Sequence, residues 1–233
     1  MAYEIKSIPF PRPVLTLAIS QDEMETELFS VTCADKSVRV FMATGEREVM
    51  SKKAHDHPIN CVCMSNEAPG RLPIMVTSSK DNKVIMWNPL KGTIIRGLKL
   101  QIPEIRAMCI YLGPPTKLAP AGVTYLVLGS VTGLISVWDM NVSQPYCLMK
   151  DHTGCIQALK VEPVVLTLSD GTELEKIIII SGSSDKSART WDMLGSKKKR
   201  RCIQTRHVVG AVSIIGRGFR PLIATGGADR NVR

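Results

Sequence analysis

The sequence predicts an all-β chain made of repeated four-stranded antiparallel sheets, and two observations carry that prediction. The first is a phrase that recurs along the chain. It reads Cys33-Ala34-Asp35-Lys36-Ser37-Val38-Arg39-Val40-Phe41, then Ser79-Lys80-Asp81-Asn82-Lys83-Val84-Ile85-Met86-Trp87, then Ser130-Val131-Thr132-Gly133-Leu134-Ile135-Ser136-Val137-Trp138. It returns as Ser183-Ser184-Asp185-Lys186-Ser187-Ala188-Arg189-Thr190-Trp191 and begins again at Gly227-Ala228-Asp229-Arg230-Asn231-Val232-Arg233. The Asp position falls at 35, 81, 132, 185 and 229, in steps of 46, 51, 53 and 44 residues. An internal period of that size marks a repeat architecture. The second observation is a density of short β-branched runs between turn residues, with no convincing helical stripe longer than ten residues, which reads as strands.

Taken in order, the runs predict strands over 14–20, 28–33, 37–42 and 47–52, then over 58–65, 74–79, 83–88 and 93–100. A third set covers 104–112, 124–129, 134–139 and 146–150, and a fourth 155–161, 177–182, 187–192 and 200–205. A fifth opens with 211–215, 222–225 and 231–233. The Asp-Lys-Ser, Asp-Asn-Lys and Thr-Gly-Leu triplets are tight turns between second and third strands, because Asp and Asn side chains bond their own backbone nearby. Longer inserts are expected between first and second strands at 66–73, 113–122 and 162–176. They lengthen the period beyond the roughly 40–45 residues of a bare four-strand unit.

Polar residues repeat with the strands. His55 and His152 each stand four residues before an isoleucine that opens a first strand, and His207 stands in the same relation to Ala211. Two full sets result: His55, Ser79, Asp81, Trp87, and His152, Ser183, Asp185, Trp191. Serine, histidine and aspartate together can relay a proton to a nucleophile. Yet a nucleophile has no reason to occur once per structural repeat, whereas a buried fastening network does. The expected relay runs from the Trp indole N–H through the Ser hydroxyl and the His ring to the Asp carboxylate.

These residues make the chain resemble the Trp-Asp (WD) repeat β-propeller family. The dipeptide stands as Trp138-Asp139 and Trp191-Asp192, with Trp87-Asn88 and Phe41-Met42 as weaker forms. The family's Gly-His is degraded to Ala54-His55, Asp151-His152 and Arg206-His207. Gln101 and Thr132 depart from the pattern in the third repeat, and Cys33 in the first. The resemblance implies a WD-repeat β-propeller of four-stranded antiparallel blades, at roughly 14–53, 54–100, 101–150, 151–206 and 207–233. That is four blades plus part of a fifth, an incomplete propeller beside the about seven blades common in closed members. Residues 5–10 are expected to supply an outer strand of a missing blade. The resemblance also implies a non-enzymatic protein–protein interaction scaffold or adaptor working in multi-protein complexes. The turns at the Asp positions share the face that receives peptides, and Lys80, Ser184 and His57 are the candidate partner contacts.

Charge is uneven. Residues 187–233 hold 11 of the 30 Lys+Arg but 2 of the 21 Asp+Glu, so the excess of +9 belongs to the last fifth of the chain. Its densest part is Lys197, Lys198, Lys199, Arg200 and Arg201. Two readings stay open for it: a localisation or nucleic-acid patch, or a solvated turn. The first supports an alternative function, a nuclear or nucleolar assembly factor touching RNA or DNA phosphates. A ubiquitin-ligase substrate receptor is a further alternative, because the family includes many. The seven scattered cysteines have no zinc spacing and read as reduced thiols of an intracellular protein, nuclear or cytoplasmic. No metal, cofactor, membrane association or small-molecule substrate is expected.

Overall fold

The computed structural model describes residues 7–20, 28–42, 48–65, 72–113, 122–142, 144–167, 172–193, 195, 201–215, 222–229 and 231–232. Strands account for every regular element among them. The chain divides into two compact units, Met1–Ile105 and Arg106–Arg233.

The first unit holds two meanders. Sheet 1 is β1 (Val14–Ser20), β2 (Leu28–Cys33), β3 (Ser37–Met42) and β4 (Glu48–Lys53), paired in chain order. Sheet 2 is β5 (Ile59–Met64), β6 (Met75–Ser79), β7 (Lys83–Asn88) and β8 (Thr93–Lys99), again in chain order. The middle strand β6 is buried throughout, whereas the outer β8 is mostly exposed. A strand covered on both faces loses the polar alternation that a half-exposed strand keeps. Leu28, Val38, Val40 and Met50 of sheet 1 form one core with Ile59, Val62, Met64, Met75, Ile85 and Trp87 of sheet 2. Removing such aliphatic side chains from water contributes about 1.5–3 kcal/mol each.

The second unit repeats the plan. Sheet 3 is β9 (Ile105–Leu112), β10 (Thr124–Ser130), β11 (Ile135–Asp139) and β12 (Pro145–Met149). Sheet 4 is β13 (Ile156–Thr167), β14 (Glu173–Ser183), β15 (Ser187–Asp192) and β16 (Arg201–Gln204). Sheet 5 has two strands, β17 (Val209–Ile215) and β18 (Leu222–Gly227), with a bridge from Gly226 to Val232 beyond them. Ala107, Val127, Ile135, Val137 and Met149 of sheet 3 pack with Ile156, Val161, Ile179, Trp191 and Met193 of sheet 4 and its exit.

Register repeats as faithfully as order. One residue into the first strand a bulge recurs, at Val14/Thr16, Ile59/Cys61, Ile156/Ala158 and Val209/Ala211. Another recurs at the aromatic of the third strand, at Phe41, Trp87 and Trp138. The turn between second and third strands places its fourth residue at positive φ in four sheets: Lys36 (69°), Asn82 (59°), Gly133 (82°) and Lys186 (64°).

Two expectations are corrected. Residues 162–167 and 173–176 are strand, not loop insert. β13 and β14 pair as one long hairpin, in register as far as Thr167↔Glu173. Pro163 fits there because β13 is the edge strand of its sheet, where a missing N–H costs no ladder bond. Residues 7–10 are not in a strand, and Ile8 and Phe10 pack against Val31, Cys33 and Phe41 instead. Most of the inserts at 66–73 and 113–122 lies outside the described residues.

Candidate functional site

The recurring Asp at 81 and 185 has two jobs, one per oxygen, and the first of them is shared by Asp35 and Asp229. Asp81 Oδ1 accepts the backbone N–H of Lys83 at 2.9 Å, and Asp185 Oδ1 that of Ser187 at 2.9 Å. Asp35 Oδ1 accepts from Ser37 N at 3.0 Å, and Asp229 Oδ1 from Asn231 N at 3.3 Å. This local bond closes the turn. The second oxygen reaches out of the hairpin. Asp81 Oδ2 lies 3.0 Å from His55 Nδ1 and accepts Asp56 N at 3.0 Å. Asp185 Oδ2 lies 2.8 Å from His152 Nδ1 and accepts Thr153 N at 3.1 Å.

From the histidine the network continues inward, but through different hydroxyls from those expected. His55 Nε2 meets Thr77 Oγ1 at 2.9 Å, and Trp87 Nε1 donates to that oxygen at 3.0 Å. His152 Nε2 meets Ser181 Oγ at 2.8 Å, and Trp191 Nε1 donates to it at 2.9 Å. Ser79 and Ser183 are therefore not the relays. Ser79 donates to the carbonyls of His57 and Pro58 at 2.9 and 3.0 Å, and Ser183 to that of Gly154 at 3.0 Å. Register explains the correction. Trp87 pairs with Met75 and Trp191 with Ile179, so Thr77 and Ser181 stand diagonally beside the indoles. Ser79 and Ser183 stand four residues from the paired positions, roughly 13 Å along a strand. Counting back from the turn along the hairpin finds Thr77 and Ser181 in sequence alone.

The protonation states agree with this path. Burial pushes His55 and His152 below the ordinary imidazole value, against the opposing pull of Asp81 and Asp185. Burial also opposes the charge of Asp81, but the N–H groups of Lys83 and Asp56 and the His55 ring hold its carboxyl below its usual value. Asp185, likewise opposed by burial, is brought to about 2 by the Ser187 hydroxyl, His152 and Thr153 N. A neutral ring with its proton on Nδ1 donates to the aspartate and accepts the hydroxyl proton on Nε2. The hydroxyl oxygen then accepts from the indole. Each donor in the sequence has one acceptor.

The other two complete sheets solve the same problem differently. In sheet 3 the position of Thr77 and Ser181 is Leu128, and Trp138 Nε1 turns to Ser136 Oγ on its own strand, at 3.0 Å. Thr132 does not close its turn through a carboxylate. Ser130 Oγ accepts from Thr132 N and Leu134 N, both at 3.2 Å. In sheet 1 the same position is Val31 and the indole is replaced by Phe41. Phe41 needs no acceptor, and stacks on Phe29 at 5.1 Å with Phe10 edge-on at 5.9 Å. An indole occurs where a hydroxyl can receive it.

The candidate contacts lie at the turn ends. Lys80 and His57 are exposed and Ser184 is half-buried, and Lys80 comes within 3.8 Å of Glu104. An exposed pair of that length contributes little to stability. His207 is exposed and its carbonyl accepts from Thr205 Oγ1 at 2.6 Å. Lys197, Lys198, Lys199 and Arg200 fall outside the described residues, and Arg201 is exposed at the start of β16. Among the described residues no group of three or more His, Cys, Asp or Glu could hold a metal ion. No helix among them is long and apolar enough to cross a membrane.

Comparison with known proteins agrees with this geometry. The family model "WD domain, G-beta repeat" matches residues 46–88. That span takes in β4 and then β5 to β7, so the family's repeat is staggered by one strand against the sheets. The chain is 28% identical over 142 residues to "p21-activated protein kinase-interacting protein 1-like" of Danio rerio, over 60% of this chain and 31% of that protein. It is 24% identical over 161 residues to "Mitochondrial division protein 1" of Vanderwaltozyma polyspora, over 66% of this chain and 20% of that protein. The chain thus spans less than a third of the length of either relative. Its fold is similar to the crystal structure of the computationally designed Ika4 protein, with a TM-score of 0.59 and 19% identity over 82% of this chain and 99% of that one. Residues 46–88 thus match one WD repeat, and among the described residues the strands form four four-stranded antiparallel sheets and one of two strands, as in WD-repeat propeller blades. Proteins built on such repeats serve in general as protein-interaction scaffolds.

Proposed function

We propose that this chain is a non-enzymatic scaffold that docks other proteins or peptides on its turn-bearing faces. One observation carries the reading: both His–Asp pairs are spent on internal fastening. The His55 and His152 side chains are wholly inaccessible, and each ring nitrogen is engaged by a group of the same blade region. A general base with no open side cannot reach a substrate proton. The outward groups at the turns are flexible cations, Lys36, Lys80 and Lys186, on hairpins whose backbones are fixed. Rigid elements presenting varied loop residues are how binding surfaces are commonly built. One relative is named for interacting with a protein kinase, a role of the same partner-directed kind.

The test is capture of binding proteins on the immobilised full chain, side by side with K36E/K80E and with S184E/K186E. These exposed or half-exposed positions can change without disturbing the core. Loss of a defined set of captured proteins, with unchanged circular dichroism and melting, supports docking at the turns. An identical captured set from all three chains rejects it.

A further inference from the structure

The second residue of the signature dipeptide closes the turn after the third strand in three sheets. Asn88 Oδ1 accepts Leu90 N and Lys91 N at 3.1 and 3.0 Å, Asp139 Oδ1 accepts Asn141 N at 2.8 Å, and Asp192 Oδ1 accepts Gly195 N at 3.0 Å. In sheet 4 the carboxylate also holds a cation, and the chain itself supplies it. Lys176 Nζ donates to Asp192 Oδ2 at 2.7 Å. Lys176 stands on β14 two residues before Ile178, the residue paired with Asp192.

Sheet 3 has the same carboxylate without that lysine. Tyr125 pairs with Asp139 as Ile178 pairs with Asp192, and Val123 stands in the place of Lys176. Among the described residues Asp139 makes no ion pair. Aromatic rings flank it instead. The Tyr125 and Tyr146 rings lie 5.7 Å apart with their planes at 65°. Directly paired residues hold their Cβ atoms about 5 Å apart, so Asp139 sits beside the Tyr125 ring. Burial, then Tyr146 and Asp139, raise the Tyr125 hydroxyl above its ordinary value, as that neighbourhood requires. Tyr146 falls at the bulge of β12 and is 50% exposed. Tyr111 backs the pair: its Cε1 and the Tyr125 Cε2 lie 3.8 and 3.7 Å from one point, the Cβ position of Gly113.

We propose that this corner binds the alkylated ammonium head of a methylated lysine on a partner protein, with Tyr125 and Tyr146 as walls and Asp139 as counter-charge. Ring faces carry negative potential and attract a cation laid against them. Methyl groups strip water from the ammonium and spread its charge, which suits two rings at a steep angle better than a bare ammonium does. The Lys176–Asp192 pair is the precedent within the chain for an ammonium on this carboxylate. The corner lies at the other end of β11 from the turn at Thr132, so it is separate from the turns assigned above to docking.

The experiment is an NMR titration of the full chain with choline, with the neutral tert-butyl isostere of choline, and with free trimethyllysine and lysine. The ring resonances of Tyr125 and Tyr146 are expected to move and saturate with choline and trimethyllysine, and to stay in place with the isostere. Lysine should bind about 3-fold or more weakly than trimethyllysine. Y146F keeps the ring and should bind as wild type, whereas Y146L should lose binding with unchanged melting. D139N should weaken choline about 3-fold or more, with its turn still closed, as Asn88 closes the turn in sheet 2. Equal shifts from choline and its isostere overturn the proposal. So does wild-type affinity in Y146L or D139N, or lysine binding as tightly as trimethyllysine.

Discussion

Thr77 and His55, 22 residues apart in sequence, meet at 2.9 Å beneath the Trp87 indole. The strand-borne hydroxyl thereby joins the third strand of its blade to the segment that enters the first. Thr77→Val keeps the shape and removes both bonds. We expect a loss of about 1–3 kcal/mol, since His55 Nε2 and the indole N–H are left buried without partners. Ser79→Ala is expected to cost about 1 kcal/mol by freeing two carbonyls. The indole N–H resonance of Trp87 separates the two cases. It should shift strongly in T77V and stay in place in S79A. The same contrast is expected between Ser181→Ala and Ser183→Ala at Trp191.

Acid sensitivity follows from the two rings. His55 and His152 are held below the ordinary value of 6.5 in the folded chain, so the unfolded chain binds more protons there. Their contribution is complete above about pH 6.5 and declines as the pH falls below it, by up to about 1.4 kcal/mol per pH unit for each ring. A second loss belongs to the carboxylates. Asp185, at about 2 when folded, contributes fully above its ordinary value of 3.8 and loses that contribution between there and about 2. Urea titrations from pH 7.5 to 4 should show the first decline, and H55N/H152N should flatten it. An unchanged slope in the double variant refutes the assignment.

Turn strain can be read by substitution. Lys36, Asn82 and Lys186 occupy the left-handed region, which costs an L-residue about 1–2 kcal/mol. Replacement by glycine recovers part of that and gives back some chain entropy. A net gain of about 0.5–1 kcal/mol per site is expected from thermal melts. Gly133→Ala should go the other way by about 2 kcal/mol or more. Its φ is 82° and its new Cβ would lie 2.3 Å from the His152 carbonyl oxygen.

Sheet 3 offers a test of its separate solution. Ser136→Ala removes the acceptor of the Trp138 indole, with Leu128 unable to replace it. A loss of about 1–2 kcal/mol is expected in denaturant unfolding. L128T in that background should restore part of it, because position 128 is where the other indoles find their hydroxyl.

Strand identity was plain in the residues because β-branched runs and turn triplets recur together, and the ends of β1, β2, β3, β7 and β15 coincide with the expected ones. The long hairpin of β13 and β14 was hidden by Pro163 and by Glu162, Glu173 and Glu175. Such residues read as a loop unless it is known that the strand is an edge. The acid and imidazole of each network were legible from spacing, since both sit at turn-defined places. The hydroxyl was mistaken for the serine beside the turn, which imitates it. The hairpin register, obtained by counting back from the turn, distinguishes Thr77 from Ser79.

The left-handed residues at Lys36, Asn82 and Lys186 have a consequence for how this molecule can change over generations. Each hairpin tip is held in shape by the carboxylate next to it and not by the side chain it displays. The displayed group makes none of the bonds that close the turn, although its backbone conformation disfavours β-branched residues. New recognition chemistry can be tried at these tips one unbranched residue at a time, with the scaffold beneath unchanged.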